Sequence, residues 1–251
     1  RLKRQLKLAK TIAIRKLLRA KTGSGVVFVT RSDLFPPDHG AAVRTVESAR
    51  AIARAGLRVG IVTDDRSGWF EVTADGIHPR KYPFWTRLVS LPGPVSKLLH
   101  FSKDLPYSNS FLYLPMTDGS FFWRTLAVSR VLNAGVLQAE FPAYALPCVQ
   151  AREILGTPVV LVQHNVEYDR IKAQVPELSP EQYQNLKTIE IDLCNRSDAV
   201  VCVSGNDRQK LAEDGVHPDL LHTVPHGVNL DEFDSDAVED VRGAYGIPPE
   251  S

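Results

Sequence analysis

Three consecutive polar residues, Gln163, His164 and Asn165, follow the apolar run Pro158–Val162, and Glu167, Tyr168, Asp169 and Arg170 come just behind them. A buried run that turns polar this abruptly reads as the carboxyl end of a parallel strand, where open α/β sheets place their ligands. An imidazole there can exchange protons or hydrogen bonds near neutral pH. The competing reading is a well-bonded strand-end histidine with no chemical role. Glu140 falls just past another short run, Val136–Gln138, again at a carboxyl end. A third candidate is the loop around Gly40, which opens a helix-forming stretch. A helix N-terminus offers unpaired N–H groups and partial positive charge, and a glycine lets a phosphate approach the backbone. His39 and Arg44 could add cationic contacts. The loop is not a GxGxxG fingerprint, and one glycine before a helix also serves as plain loop punctuation.

The elements that must position these residues alternate regularly. The sequence predicts a buried strand over Val26–Thr30, a helix from about Ala41 to Ala55 stopped by Gly56, and a strand over Leu57–Thr63. After Gly119 it predicts a helix over Ser120–Leu132, strand Val136–Gln138, helix Tyr144–Leu155 and strand Val159–Val162. A long helix over Pro180–Asn195, strand Ala199–Val203, a helix from Ser204 to Glu213 and strand Leu221–Val224 follow. Ser204 and Asp207 read as a capping box. This rhythm implies an α/β fold, a Rossmann-like doubly wound parallel sheet with helices on both faces. Residues 64–118 are rich in aromatics and prolines. Short strands near Glu71–Val72 and Lys81–Tyr82 and a helix near Pro94–Ser102 are expected there. Their aromatics read as core, or with Lys81, Arg87, Lys97 and Lys103 as a surface for an acceptor or lipid.

Composition excludes several classes. The net charge of +1 hides an asymmetry: residues 1–22 carry nine basic side chains and no acid, leaving 21 basic against 29 acidic residues in the rest. The acidic body argues against nucleic acid as a partner. Leu2, Leu6, Ala9, Ala13, Leu17 and Ala20 recur at helical spacing, so residues 1–22 are expected to form a basic amphipathic helix. Such a helix can lie on an anionic membrane surface or stand as a solvated arm. Three cysteines without a CxxC pair suggest reduced, buried thiols, a cytoplasmic protein and no metal site. No apolar run is long enough to span a bilayer, and no signal peptide is apparent. A start at Arg1 reads as a partial or trimmed chain.

Four stretches taken together resemble one family. They are FPPDHGAAVRTVESARAIARAGLRVGIVT, LQAEFPAYALP, PVVLVQHNVEYDR and SDAVVCVSGNDRQKLAEDGVHPDLLHTVPHGVNLDEF. In order and spacing they are similar to the N-terminal, acceptor-side domain of a retaining GT-B glycosyltransferase of the glycosyltransferase family 4, or group 1, type. The resemblance covers most of residues 25–233. It implies a sugar nucleotide as donor substrate, no separate cofactor, and a glycan or lipid-linked acceptor. His39, Gly40, Ala41 and Arg44 would form the loop approaching the donor diphosphate. His164 would line the cleft near the transferred sugar and act there, with Glu140, Asn165 and Glu167 as cleft or acceptor residues. The chain departs from the family at Ala41, where a second glycine is common, and at His226 and Asn229, where Asn and Asp are usual.

The implied organisation is a basic helix over 1–22, a Rossmann-like domain over 23–230, and a linker or the start of a missing C-terminal donor-binding domain over 231–251. The resemblance also implies that this fragment alone is inactive; the cysteines suggest a cytoplasmic enzyme, and the basic helix would suit a peripheral place at the inner face of the membrane. Two other readings fit the same architecture: a sugar-nucleotide epimerase, which needs no acceptor, and a non-catalytic binding module. A dinucleotide-dependent oxidoreductase fits less well, because no GxGxxG follows the first strand.

Overall fold

The computed structural model describes residues 23–89 and 118–227, with Gly246 and Pro248. The expected basic helix, the expected helix near Pro94–Ser102 and the expected linker over 231–251 lie outside the described residues, apart from Gly246 and Pro248.

Eight strands form one sheet in the order β4-β3-β2-β1-β5-β6-β7-β8. β1 (Gly25–Thr30), β2 (Val59–Thr63), β5 (Ala134–Glu140), β6 (Val159–Gln163), β7 (Ala199–Cys202) and β8 (Leu221–Thr223) are mutually parallel. β3 (Trp69–Thr73) and β4 (Gly76–Arg80) extend the β2 edge as an antiparallel hairpin. The strand expected near Lys81–Tyr82 is therefore displaced: β4 ends at Arg80, and Tyr82 instead buries its ring against the core. The strand order reverses between β1 and β5, so the crevice outside their carboxyl ends is the fold's natural ligand site.

All six residues of β1 are buried, as both-face coverage requires. Alternate side chains serve different cores. Val26 and Phe28 meet Ala42, Val46, Ala49 and Ala53 of α1 (Gly40–Arg54). Val27 and Val29 belong to the larger core, which includes α3 (Gly119–Leu132), α4 (Pro142–Leu155) and α6 (Pro180–Asn195). A Cβ at Gly60 of β2 would collide with Leu132, so glycine there lets α3 sit against the sheet. Helices thus cover both faces of a Rossmann-like sheet. The remaining α-helices among the described residues are the short α2 (Phe84–Val89), α5 (Glu167–Gln174) and α7 (Gly205–Glu213).

Caps explain most helix boundaries. Asp118 accepts from the Ser120 N–H to start α3, and α4 ends on Gly156 with φ 74°. Ser179 and Gln182 form a complete capping box at α6. At α7, Ser204 accepts from the Asp207 N–H, but the Asp207 carboxylate answers the Ser204 hydroxyl rather than its backbone. Cys148, Cys194 and Cys202 are buried free thiols. Among the aromatics of the hairpin region, Trp69 and Tyr82 are core, whereas Phe84 is 72% exposed.

Candidate active site

The loop from β1 into α1 is held by its own histidine. His39 is the N-cap of α1: Nδ1 accepts from the Ala42 N–H at 3.2 Å, which leaves Nε2–H to donate to the Asp33 carbonyl at 3.2 Å. Both ring nitrogens are therefore committed within the loop. Gly40 follows in the first turn, and a Cβ there would meet nothing within 4 Å. Protein packing does not demand glycine at this position. Arg44, one turn along, donates from Nη2 to the Val224 carbonyl at 3.2 Å and so ties α1 to the exit of β8. Its Nη1 is buried and meets no partner among the described residues.

On the β5 side of the switch point, the last residue of β5 meets the first residue beyond β6. Register pairs Glu140 with Val162, so His164 rises two residues beyond that level. Glu140 Oε2 and His164 Nε2 lie 2.6 Å apart, with the side chains only 1% and 4% exposed. Gln138 Nε2 donates to the other carboxylate oxygen at 2.7 Å. An ionised carboxylate can only accept, so His164 gives its Nε2–H to Glu140. In the neutral ring, Nδ1 is then left as a lone-pair acceptor. It is buried and has no partner among the described residues. Buried polar atoms without partners are few in folded proteins, and each calls for an explanation.

Phe141 fixes the ring from one side, stacked on His164 at 4.4 Å between centroids. Its backbone is unusual: φ is 73° and ψ is 152°. That region is nearly restricted to glycine and costs on the order of 1–3 kcal/mol for another residue. Phe141 N–H donates to the Val162 carbonyl at 3.0 Å, so the strained residue is locked to β6. His226 lies 6.2 Å from the His164 ring. Burial, with Arg44 and His164 nearby, lowers its pKa, which favours a neutral ring.

The other expected cleft residues are less engaged. Asn165 is exposed and reaches Glu167 at 3.4 Å. Glu167 is buried at the start of α5 and pairs with Arg170 at 2.7 Å. Sequence reasoning placed His164 and Glu140 at strand ends but could not pair them. It missed Phe141, whose residue type gives no sign of its positive φ. It also missed Glu190 of α6, whose carboxylate accepts from Gln163 and from the first amides of α5. Among the described residues, no three His, Cys, Asp or Glu side chains gather as a metal site, and no helix is long and apolar enough to cross a membrane.

The mainly parallel α/β sheet, covered by helices on both faces, is Rossmann-like, with a buried histidine–carboxylate pair at the carboxyl ends of β5 and β6. The chain belongs to Glycosyltransferase Family 4, whose sequence model matches residues 39–232. Among solved structures it is similar to sucrose-phosphate synthase from Thermosynechococcus elongatus, at 15% identity and a TM-score of 0.62, over 90% of this chain and 53% of that one. It is also similar to Anabaena Alr3699/HepE, solved in complex with UDP and with UDP-glucose, each at 14% identity and a TM-score of 0.50, over 88% of this chain and 50% of that one. The chain thus spans about half the length of these structures. No curated protein sequence matches it.

Proposed function

We propose that this chain is the acceptor-side domain of a retaining glycosyltransferase. The whole enzyme would move a sugar from a nucleoside-diphosphate donor to a glycan or lipid-linked acceptor. The observation that carries the reading is His164: buried, stacked on a strained Phe141, pinned through Nε2 to Glu140, and open at Nδ1. An imidazole fixed in this way has one hydrogen-bonding direction left, suited to a sugar hydroxyl. His164 thus positions the transferred sugar or the incoming hydroxyl and is not asked to be the base. The leaving diphosphate takes up negative charge as the glycosidic bond breaks, and its own oxygen can accept the proton of the acceptor hydroxyl. Preorganised donors stabilise that charge. Here they are the first-turn amides of α1 at Gly40 and Ala41 and the unpartnered Nη1 of Arg44, with His39 holding the loop in shape.

The sugar-nucleotide donor is supported by HepE, a fold relative crystallised with UDP and UDP-glucose. A second Rossmann-like domain would hold most of the nucleotide, and without it this portion would not turn over. Residues 1–22 would add contact with an anionic membrane at the cytoplasmic face, which suits a lipid-linked acceptor.

The test is nucleoside diphosphate release by the full-length enzyme across a panel of sugar nucleotides, with and without a membrane-lipid or glycan extract. Release that requires both one donor and the extract is expected. Release or isomerisation without an acceptor would point to a hydrolase or epimerase instead. In the same assay His164→Ala should lower kcat about 100-fold, and Glu140→Gln, which keeps a hydrogen-bond acceptor but loses the charge, about tenfold. Turnover unchanged in His164→Ala at saturating substrate would count against the assignment.

A further inference from the structure

The turn from β6 into α5 carries His164, and one side chain from a third element grips it on both sides. Glu190, on α6, is 3% exposed. Its Oε1 accepts from Gln163 Nε2 at 3.1 Å, just before His164. The same oxygen accepts from the Glu167 N–H at 3.1 Å, and Oε2 accepts from the Tyr168 N–H at 3.0 Å, both beyond the turn. The three residues between, His164 to Val166, are bracketed by a single carboxylate.

This arrangement replaces a local cap. The N-cap of α5 is Val166, which makes no side-chain bond to the helix. A Ser, Asp or Asn there would satisfy an amide of the first turn. Glu190 does so from another helix, and the partial positive charge of the α5 N-terminus favours a carboxylate in that place. All three of its partners are donors. A glutamine of the same shape would turn an NH2 group towards one of them, and an apolar residue would leave buried amides unpaired. The three bonds all use accepting directions, which the carboxylate form supplies in full and a glutamine cannot.

We infer that Glu190 is a positioning residue for His164: by holding Gln163 and the start of α5 together, it fixes the imidazole against Glu140 and aims Nδ1 at the reacting groups. This inference rests on the reading of His164 as a substrate-facing group. The geometry explains the location of the clamp. Glu140 holds His164 from β5, Phe141 holds it by stacking, and Glu190 holds the backbone that bears it. Without the third hold, the turn loses its three bonds to α6, and the first two act on a side chain whose main chain is less firmly placed.

The test uses the full-length enzyme with Glu190→Gln and, as a milder variant that keeps the α5 cap, Gln163→Leu. Two readouts are taken: the imidazole nitrogen resonances of His164, assigned by their loss in His164→Gln, and the kcat and donor KM of sugar transfer. Glu190→Gln should move the His164 resonances and lower kcat about 10- to 100-fold, with donor KM changed less than about threefold. Gln163→Leu should shift both readouts the same way by less. A purely structural residue would lower the unfolding temperature while leaving resonances and kcat in place; that result in either folded variant overturns the inference. If Glu190→Gln does not fold, Gln163→Leu decides alone. A wild-type enzyme that transfers no sugar would sink the functional reading, while the His164 resonances would still decide the clamp.

Discussion

Two carboxyl ends of the sheet hold buried charged side chains, and they use them differently. Beyond β2, Arg124 of α3 is 1% exposed and donates from Nη1 to the carbonyls of Thr63 and Asp65, each at 2.7 Å. Its Nη2 donates to Asp118 at 3.0 Å, and its guanidinium lies 4.7 Å from the Phe121 ring. Only Nε lacks a partner among the described residues. Nearly every direction of this cation points into the protein, and what it fastens is the loop after β2 and the cap of α3. Beyond β5 and β6, Glu140 and His164 share one short bond, and the buried Nδ1 has no partner among the described residues. A saturated buried charge is a fastener, whereas an incompletely satisfied one, rigidly held, is the better candidate for chemistry.

The contrast predicts its largest effect at the fastener. Arg124→Met removes the partner of a partly buried carboxylate and of two carbonyls. Breaking a buried pair from one side costs about 3 kcal/mol. Denaturant unfolding should show that loss, with kcat per folded molecule near the wild-type value. A variant that kept its stability but lost turnover would move Arg124 into the active site and erase the distinction between the two ends.

A second effect separates the ends by pH. Burial, reinforced by the neighbouring Glu167, pushes the Glu190 carboxyl from 4.5 up to about 8, although the helix-start amides and Gln163 favour its charge. The other titratable groups facing it are Tyr168 on α5 and Cys194 one turn along α6, both with raised pKa values. A carboxyl whose folded pKa lies above its unfolded value holds more protons when folded. Its contribution is therefore most favourable below 4.5 and is lost as pH rises towards 8. One proton gives a slope of at most about 1.4 kcal/mol per pH unit. Unfolding free energy measured across that window should fall with pH in the wild type and lose this component in Glu190→Gln. Parallel curves for the two proteins would refute the assignment.

These features differ in how far a sequence can reveal them. β1, α1 and β2 are legible because apolar runs, a helical stripe and Gly56 agree locally on one answer. The aromatic stretch after β2 gives no comparable periodicity: the strand expected near Glu71–Val72 falls within β3, but β4 ends before the strand expected near Lys81–Tyr82. α5 escaped notice for a clearer reason. Its sequence EYDRIKAQ is polar, with only Glu167, Tyr168 and Ile171 buried, and its cap comes from Glu190 on a different helix. β5 looked shorter than it is because its end carries polar residues, Gln138 and Glu140, which bond to each other inside the protein. The same polarity made Glu140 and His164 visible as candidates. Their pairing depended on the register of β5 against β6, which no local pattern fixes. Phe141 was hidden because nothing in its residue type signals a positive φ.

The smallest expected effect sharpens the comparison at a third strand end, that of β1. His39 stands in the loop expected to face a diphosphate, yet its two nitrogens bond to Ala42 and Asp33. By the same reasoning as for Arg124, a ring used up inside the protein is a fastener, and under the proposed function the phosphate contacts would fall to the amides beside Gly40 and to Arg44. Asparagine is among the best N-cap residues, so His39→Asn should keep the start of α1 and change stability by less than about 0.5 kcal/mol. Donor KM should stay within about twofold of wild type, because the asparagine withdraws no group from the donor. A tenfold rise in donor KM with unchanged stability would show the ring turning from its cap to the diphosphate when substrate binds. His39 would then join His164 as a group held in reserve.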